Sequence, residues 1–197
     1  DDNVGKIHQK LKDLQLEENT IVIFITDNGP NGQRYNGGMR GIKGSIHEGG
    51  VRVPCIINWK GKITQKSIPQ LAGHIDILPT LVSLCNLDPP ETLPLDRMDL
   101  SPLIYGDSTD FPERLYFSKK SRETIIPDGA VRSDQYRMII EKGDTMLFDM
   151  DQDPGQKHDI SMKNKEMTQS LAMAYNSWFD DVTRDYKPDA EIRLGFE

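Results

Sequence analysis

The sequence predicts an α/β fold: part of a mixed sheet with flanking helices, followed by a small antiparallel sheet with a helix. Three observations predict it. A helical apolar period over residues 3–15 leads through a short polar turn into the continuous run T-I-V-I-F-I, one αβ unit of an α/β fold. Four short strand-like segments crowd between residues 115 and 149. A further amphipathic stretch, residues 163–180, closes the pattern. With 197 residues the chain is long enough to bury a core as one domain plus a subdomain. We divide it into an α/β part, 1–110, and an antiparallel-sheet part, 111–197.

Each element has a local reason. Val4, Ile7, Leu11 and Leu14 fall on one helix face. Asp1 and Asp2 stand before that helix, where carboxylates suit the N-terminal end. Glu17, Glu18 and Asn19 make a turn. The β-branched run at 20–25 reads as an interior strand buried on both faces. Residues 29–50 are glycine-rich and poor in apolar side chains, and a loop that long inside a domain is usually functional. Residues 51–59 read as a second strand, with Pro54 placing it near an edge. Residues 76–87 read as a helix that tolerates Pro79 in its first turn. A proline- and aspartate-rich surface connection follows over 89–111. The strands are then expected at 115–118, 129–132, 136–140 and 145–149, and the last helix carries Met167, Leu171, Ala174 and Trp178 on one side.

The composition narrows the function. The net charge is -7, with no basic stripe, which argues against nucleic acid as a partner. No run of some 18 apolar residues predicts a membrane span. The N-terminal D-D-N shows no signal-peptide pattern. Cys55 and Cys85 lie in apolar surroundings and read as small buried hydrophobes, and a disulfide between them stays open.

The candidate chemistry follows the first strand. Asp27 and Asn28 stand just past its end, where open α/β sheets hold ligands. A carboxylate beside an amide oxygen suits Ca²⁺ or Mg²⁺ rather than zinc, although D-N-G also serves simply as a turn. In N-G-G-M-R-G-I-K-G-S the glycines let the backbone approach a ligand. Lys43 among them can meet a tetrahedral oxyanion as a point charge.

The run N-T-I-V-I-F-I-T-D-N-G-P, then N-G-G-M-R-G-I-K-G-S-I-H-E-G-G-V-R-V-P, is similar to the second signature region of the sulfatases. These are formylglycine-dependent enzymes of the alkaline phosphatase superfamily. The resemblance continues through W-K-G-K-I, H-I-D-I-L-P-T-L, A-V-R-S-D-Q-Y-R-M-I-I and L-F-D-M-D-Q-D-P-G-Q-K-H-D-I. It implies an alkaline-phosphatase-like sheet, a sulfate ester substrate, and one Ca²⁺ partly held by Asp27 and Asn28. Lys43 matches the lysine that contacts sulfate. Glu48 and Arg52 are read as bracing the loop, and His74 as a structural or substrate-subsite histidine. The resemblance favours a periplasmic, secreted or lysosomal setting.

The family nucleophile is made from the Cys or Ser of C-x-P-x-R or S-x-P-x-R. Cys55 continues I-I-N-W, Cys85 continues N-L-D-P, and Ser67-Ile68-Pro69 lacks the arginine. The formylglycine is therefore expected in an N-terminal part of the same polypeptide, and these 197 residues are expected to be inactive alone. The competing readings are a phosphatase or phosphodiesterase of the same superfamily and a non-catalytic binding or partner module.

Overall fold

Helix α1 (Asp2–Asp13) starts with Asp1 at its N-cap and Asp2 in its first turn, and Lys10 and Lys12 occupy its last. This charge order matches the helix dipole, although Asp1 makes no side-chain capping bond. The computed structural model describes residues 1–89, 97–106, 111–120 and 127–185. A 3-10 turn at Glu17–Asn19 leads into strand β1 (Val22–Ile25). Next come a short helix α2 (Glu48–Val51) and strand β2 (Cys55–Asn58). Helix α3 (Ile77–Leu84) follows, then helix α4 (Ser101–Tyr105). The expected surface connection thus contains a helical turn, and its residues 90–96 and 107–110 lie outside the described residues.

The β1–β2 ribbon is antiparallel, with Val22 opposite Asn58 and Ile25 opposite Cys55. The α/β class holds, but the expected burial of the first strand does not: Phe24 is 44% exposed. A strand with one neighbour in a two-stranded ribbon has too little sheet around it to cover both faces. The expected strand at 51–59 shrinks to four residues, because α2 takes the chain up to Val51 and Pro54 cannot donate to a ladder. Cys55 and Cys85 are exposed and unpaired, which corrects the reading of both as buried hydrophobes. Apolar neighbours in sequence do not bury a residue when the element itself lies at the surface.

Strands β3 (Tyr116–Lys119), β4 (Gly129–Arg132), β5 (Tyr136–Glu141) and β6 (Asp144–Asp149) form an antiparallel meander in chain order. Helix α5 (Lys165–Thr183) ends the described chain. Strand alternation sends Val131, Met138 and Leu147 into one cluster with Leu171 and Tyr175 of α5. The alternate positions, Ala130, Ile139 and Phe148, cluster with Ile46 and Met150. Both faces of this sheet are therefore covered, one by α5 and the other by the chain just before α2.

The chain divides into two compact units that interleave in sequence. One comprises Asp1–Thr26 and Pro54–Glu113, and the other Asp27–Val53 and the described residues of Arg114–Glu197. Packing thus assigns the glycine-rich loop to the C-terminal sheet, across the sequence division at residue 110. Among the described residues no helix is long and apolar enough to cross a membrane.

Two outcomes follow from this core. Phe148→Ala should lower stability by about 3–5 kcal/mol, read as a shift of the urea midpoint, since Phe148 is enclosed in the cluster with Ile46 and Ile139. His47 is buried, and its Nδ1 has no hydrogen-bond partner among the described residues. Burial, followed by the charge of Arg40, pushes its pKa below the ordinary 6.5. The unfolded chain then takes up the proton first as pH falls. The stability contributed by neutral His47 is present above pH 6.5 and declines as pH drops from there towards the lower folded value. The urea midpoint of His47→Phe should fall less between pH 7.5 and 5.5 than that of the parent; equal falls would exclude this contribution.

Candidate functional site

Asp27 and Asn28 follow β1 directly, and their side chains are tied to each other. The Asn28 backbone N–H donates to Asp27 Oδ1 at 3.0 Å, and Asn28 Nδ2 donates to Asp27 Oδ2 at 2.5 Å. Asp27 is exposed and Asn28 half-buried. The donors here are carboxylate and amide oxygens, a set that fits a hard divalent cation. Two side chains are fewer than the about 6–8 oxygens that Ca²⁺ takes, and among the described residues no three His, Cys, Asp or Glu side chains gather.

The loop then folds back on itself. The Gly29 N–H donates to the Gly50 carbonyl at 2.9 Å, which joins the two ends of the 29–50 segment. A side chain at Gly29 would collide with the Gly49 carbonyl, and one at Gly50 with the Ser45 carbonyl. Only glycine admits backbones this close. Inside the closed loop the Lys43 N–H donates to the Pro30 carbonyl at 3.0 Å, and the Gly49 N–H to Arg40 at 2.8 Å. Asn36 Nδ2 bonds the carbonyls of Met39 and Gly41. These bonds bring the backbone of Lys43 back to the third residue after Asp27, while its side chain is exposed.

Helix α2 fastens the loop to the sheet. Glu48 at its first position is 3% exposed, and Arg137 of β5 is 4% exposed. Arg137 Nε and Nη2 reach Glu48 Oε2 at 2.9 and 2.7 Å, and Nη1 donates to the Ile46 carbonyl at 3.0 Å. The Glu48 N–H donates to Gln156 Oε1 at 2.7 Å. Arg132 Nε stands 3.8 Å from the same carboxylate, and the exposed Arg52 stands 3.5 Å from its other oxygen. Burial draws the pKa of Arg137 and of Arg132 below the guanidinium range, and the Glu48 charge opposes that in both.

Of the residues singled out from sequence, Lys43 lies inside the closed loop, and Asp27 and Asn28 stand directly before its first residue. His74 belongs to the other unit, where its exposed ring lies with Nε2 2.9 Å from the Thr26 carbonyl oxygen. Sequence reasoning identified Glu48 and Arg52 as a brace but missed Arg137 and Gln156, the partners that bury it. Arg137 did carry a signal. Period-two alternation in Tyr136–Glu141 places it on the same face as Ile139, and a charged side chain at an inward position requires a partner. Gln156 lies within the stretch L-F-D-M-D-Q-D-P-G-Q-K-H-D-I, but no local pattern there gives it a partner.

Comparison with known proteins agrees with this architecture. Residues 1–87 match the sulfatase family model. Human arylsulfatase A is 32% identical over 185 residues, which covers 80% of this chain and 36% of that protein. The N-acetylgalactosamine-6-O-sulfatase of Bacteroides thetaiotaomicron is 27% identical, covering 86% of this chain and 38% of that protein. A solved 6S-sulfatase structure from glycosaminoglycan metabolism in the same organism superposes with a TM-score of 0.73 at 26% identity, over 89% of this chain and 42% of that one. The chain therefore spans little more than a third of the length of these two curated relatives. Family model, relatives and fold thus agree: residues 1–87 match the sulfatase family, and the likeness extends over 80% of this chain in sequence and 89% in fold.

Proposed function

We propose that these residues are the C-terminal part of an enzyme that hydrolyses sulfate esters to alcohol and sulfate, and that the 27–50 loop carries their share of the site. The observation that supports this best is the bond from the Lys43 N–H to the Pro30 carbonyl. It holds the backbone of a cation-bearing residue against Pro30, two residues past the Asp27–Asn28 oxygen pair. Asp27 and Asn28 are the proposed Ca²⁺ ligands. When bound, that ion supplies positive charge beside the sulfate group. Lys43 contacts a sulfate oxygen and stabilises charge developing as the S–O bond breaks, an effect worth more in a pocket shielded from water. His74, whose Nε2 meets the Thr26 carbonyl oxygen, is proposed as a structural or substrate-subsite histidine.

The formylglycine nucleophile belongs to the remainder of the polypeptide. The names of the relatives, arylsulfatase A and N-acetylgalactosamine-6-O-sulfatase, indicate the range of substrates to test: small aryl sulfates and 6-sulfated amino sugars. A phosphatase or phosphodiesterase site of the same superfamily is the weaker alternative, because the amide of Asn28 is a poor ligand for zinc.

The test uses the complete polypeptide that contains these residues, assayed on 4-methylumbelliferyl sulfate with calcium. Lys43→Ala should lower kcat by about 10²–10³, the scale of one preorganised electrostatic donor, and added calcium should not restore it. Asp27→Ala should abolish turnover at low calcium and recover partly at high calcium. Residues 1–197 alone should show no turnover. Near-normal kcat in Lys43→Ala would make Lys43 a solvated surface charge and overturn the site assignment.

A further inference from the structure

The catalytic loop is short of its own support. Its internal bonds close it end to end, yet α2 is only four residues long, too short to hold its shape by helical hydrogen bonds alone. What holds it comes from residues roughly a hundred positions later. Arg137 is fixed by the ladder of β5, where it stands opposite Phe148 on β6 and Arg132 on β4. From there its guanidinium grips Glu48 and the Ile46 carbonyl at once. Gln156 takes the Glu48 N–H. The residues so held, Ile46 and Glu48, sit directly before Gly49 and Gly50, the glycines that receive the start of the loop.

We propose that Arg137 is a positioning residue of the sulfatase site: through Glu48 it orients α2, and thereby the Gly29–Gly50 closure and the Pro30–Lys43 bond that set where Lys43 stands relative to Asp27. The geometry stands on the ion pair itself, while the meaning of Lys43 as a sulfate contact rests on the function proposed above. Among the described residues the side-chain bonds of Arg137 run to Glu48 and the Ile46 carbonyl, and not to Asp27, Asn28 or Lys43. A lysine in its place keeps the charge but not the fork that reaches the carboxylate and the Ile46 carbonyl together.

Amide hydrogen exchange on the 197-residue chain reads this brace without calcium, substrate or turnover. In Arg137→Met the amides of Gly29, Lys43 and Gly49 should exchange at least about tenfold faster, as expected for local opening. Those of Ile139 and Leu147 in the sheet should stay within about twofold of the parent. Arg137→Lys should restore part of the protection. Should Arg137→Met fail to keep its sheet, Arg137→Lys and Gln156→Ala take its place, each with a smaller acceleration confined to the loop. Unchanged exchange at Gly29 and Lys43 in a variant with an intact sheet would overturn the proposal, as would acceleration spread evenly over loop and sheet.

A second arm carries Arg137→Lys into the complete polypeptide. There kcat on the aryl sulfate should fall about tenfold while KM changes less than about twofold, the sign of an interaction lost chiefly in the transition state. A variant with a loosened loop but parental kcat would overturn the positioning role. Turnover by the parent polypeptide decides the functional reading separately, and its absence would leave the exchange result standing.

Discussion

The carboxylate of Glu48 and the guanidinium of Arg137 meet in the interior of the C-terminal unit at 2.7 Å, and the placement of the loop depends on that meeting. Withdrawing two charges from water is costly, and their attraction offsets the cost only when geometry is good and the remaining polar atoms are bonded. The first holds, and the second holds for Arg137 and Glu48 themselves, while Arg132 Nε and Gln156 Nε2 beside them are buried with no hydrogen-bond partner among the described residues. Arg137 also bonds the Ile46 carbonyl, and the Glu48 backbone N–H is taken by Gln156. Removing one partner of such a buried pair typically costs about 3–5 kcal/mol, because the other is left charged and unpaired. The pair is therefore better understood as a registration device than as a source of stability. It permits one seating of α2 on the sheet and penalises every other.

That seating is what holds a glycine-rich segment in one conformation. Glycine allows the close backbone crossings at positions 29, 49 and 50, but the same freedom gives the unfolded loop many conformations to lose. The compensation comes from outside the loop. Ile46 enters the apolar cluster with Phe148 and Ile139, Arg40 lies over the Phe148 ring at 5.9 Å, and Glu48 is held by the sheet. A flexible segment is thus tied down at its C-terminal end, while the end that carries Asp27 and Asn28 remains accessible. Preorganisation of this kind is what electrostatic catalysis demands of its charged groups.

The other unit has a different character. Its ribbon carries the apolar β-branched residues of an interior strand, yet Phe24 and Ile56 face solvent. Its firmest local ties are polar: Trp59 donates to the Glu18 carbonyl, Lys60 pairs with Glu17, and the buried Asp76 accepts the backbone N–H groups of Gly73 and Met98. Thr80 continues that last set, donating to the Asp76 carbonyl and accepting from Leu100. These bonds order strand ends and helix starts, which local chemistry can do without a large core.

The sequence by itself determined the α/β class, the four-stranded meander with its closing helix, and the identity of Asp27, Asn28 and Lys43 as candidate site residues. Each rests on short-range physics: side-chain period, turn chemistry and the spacing of a motif within one loop. The covering of β1 and the exposure of Cys55 and Cys85 were not legible, because burial depends on how many neighbours an element finds and not on its own composition. Only the tertiary structure decided that the loop belongs to the C-terminal sheet and that Arg137 and Gln156 are the partners of Glu48. Glu48 and Arg137 stand 89 positions apart, and period-two alternation shows only that Arg137 faces inward. Which carboxylate meets it there is settled by how the chain folds back, a long-range pairing that no local pattern encodes.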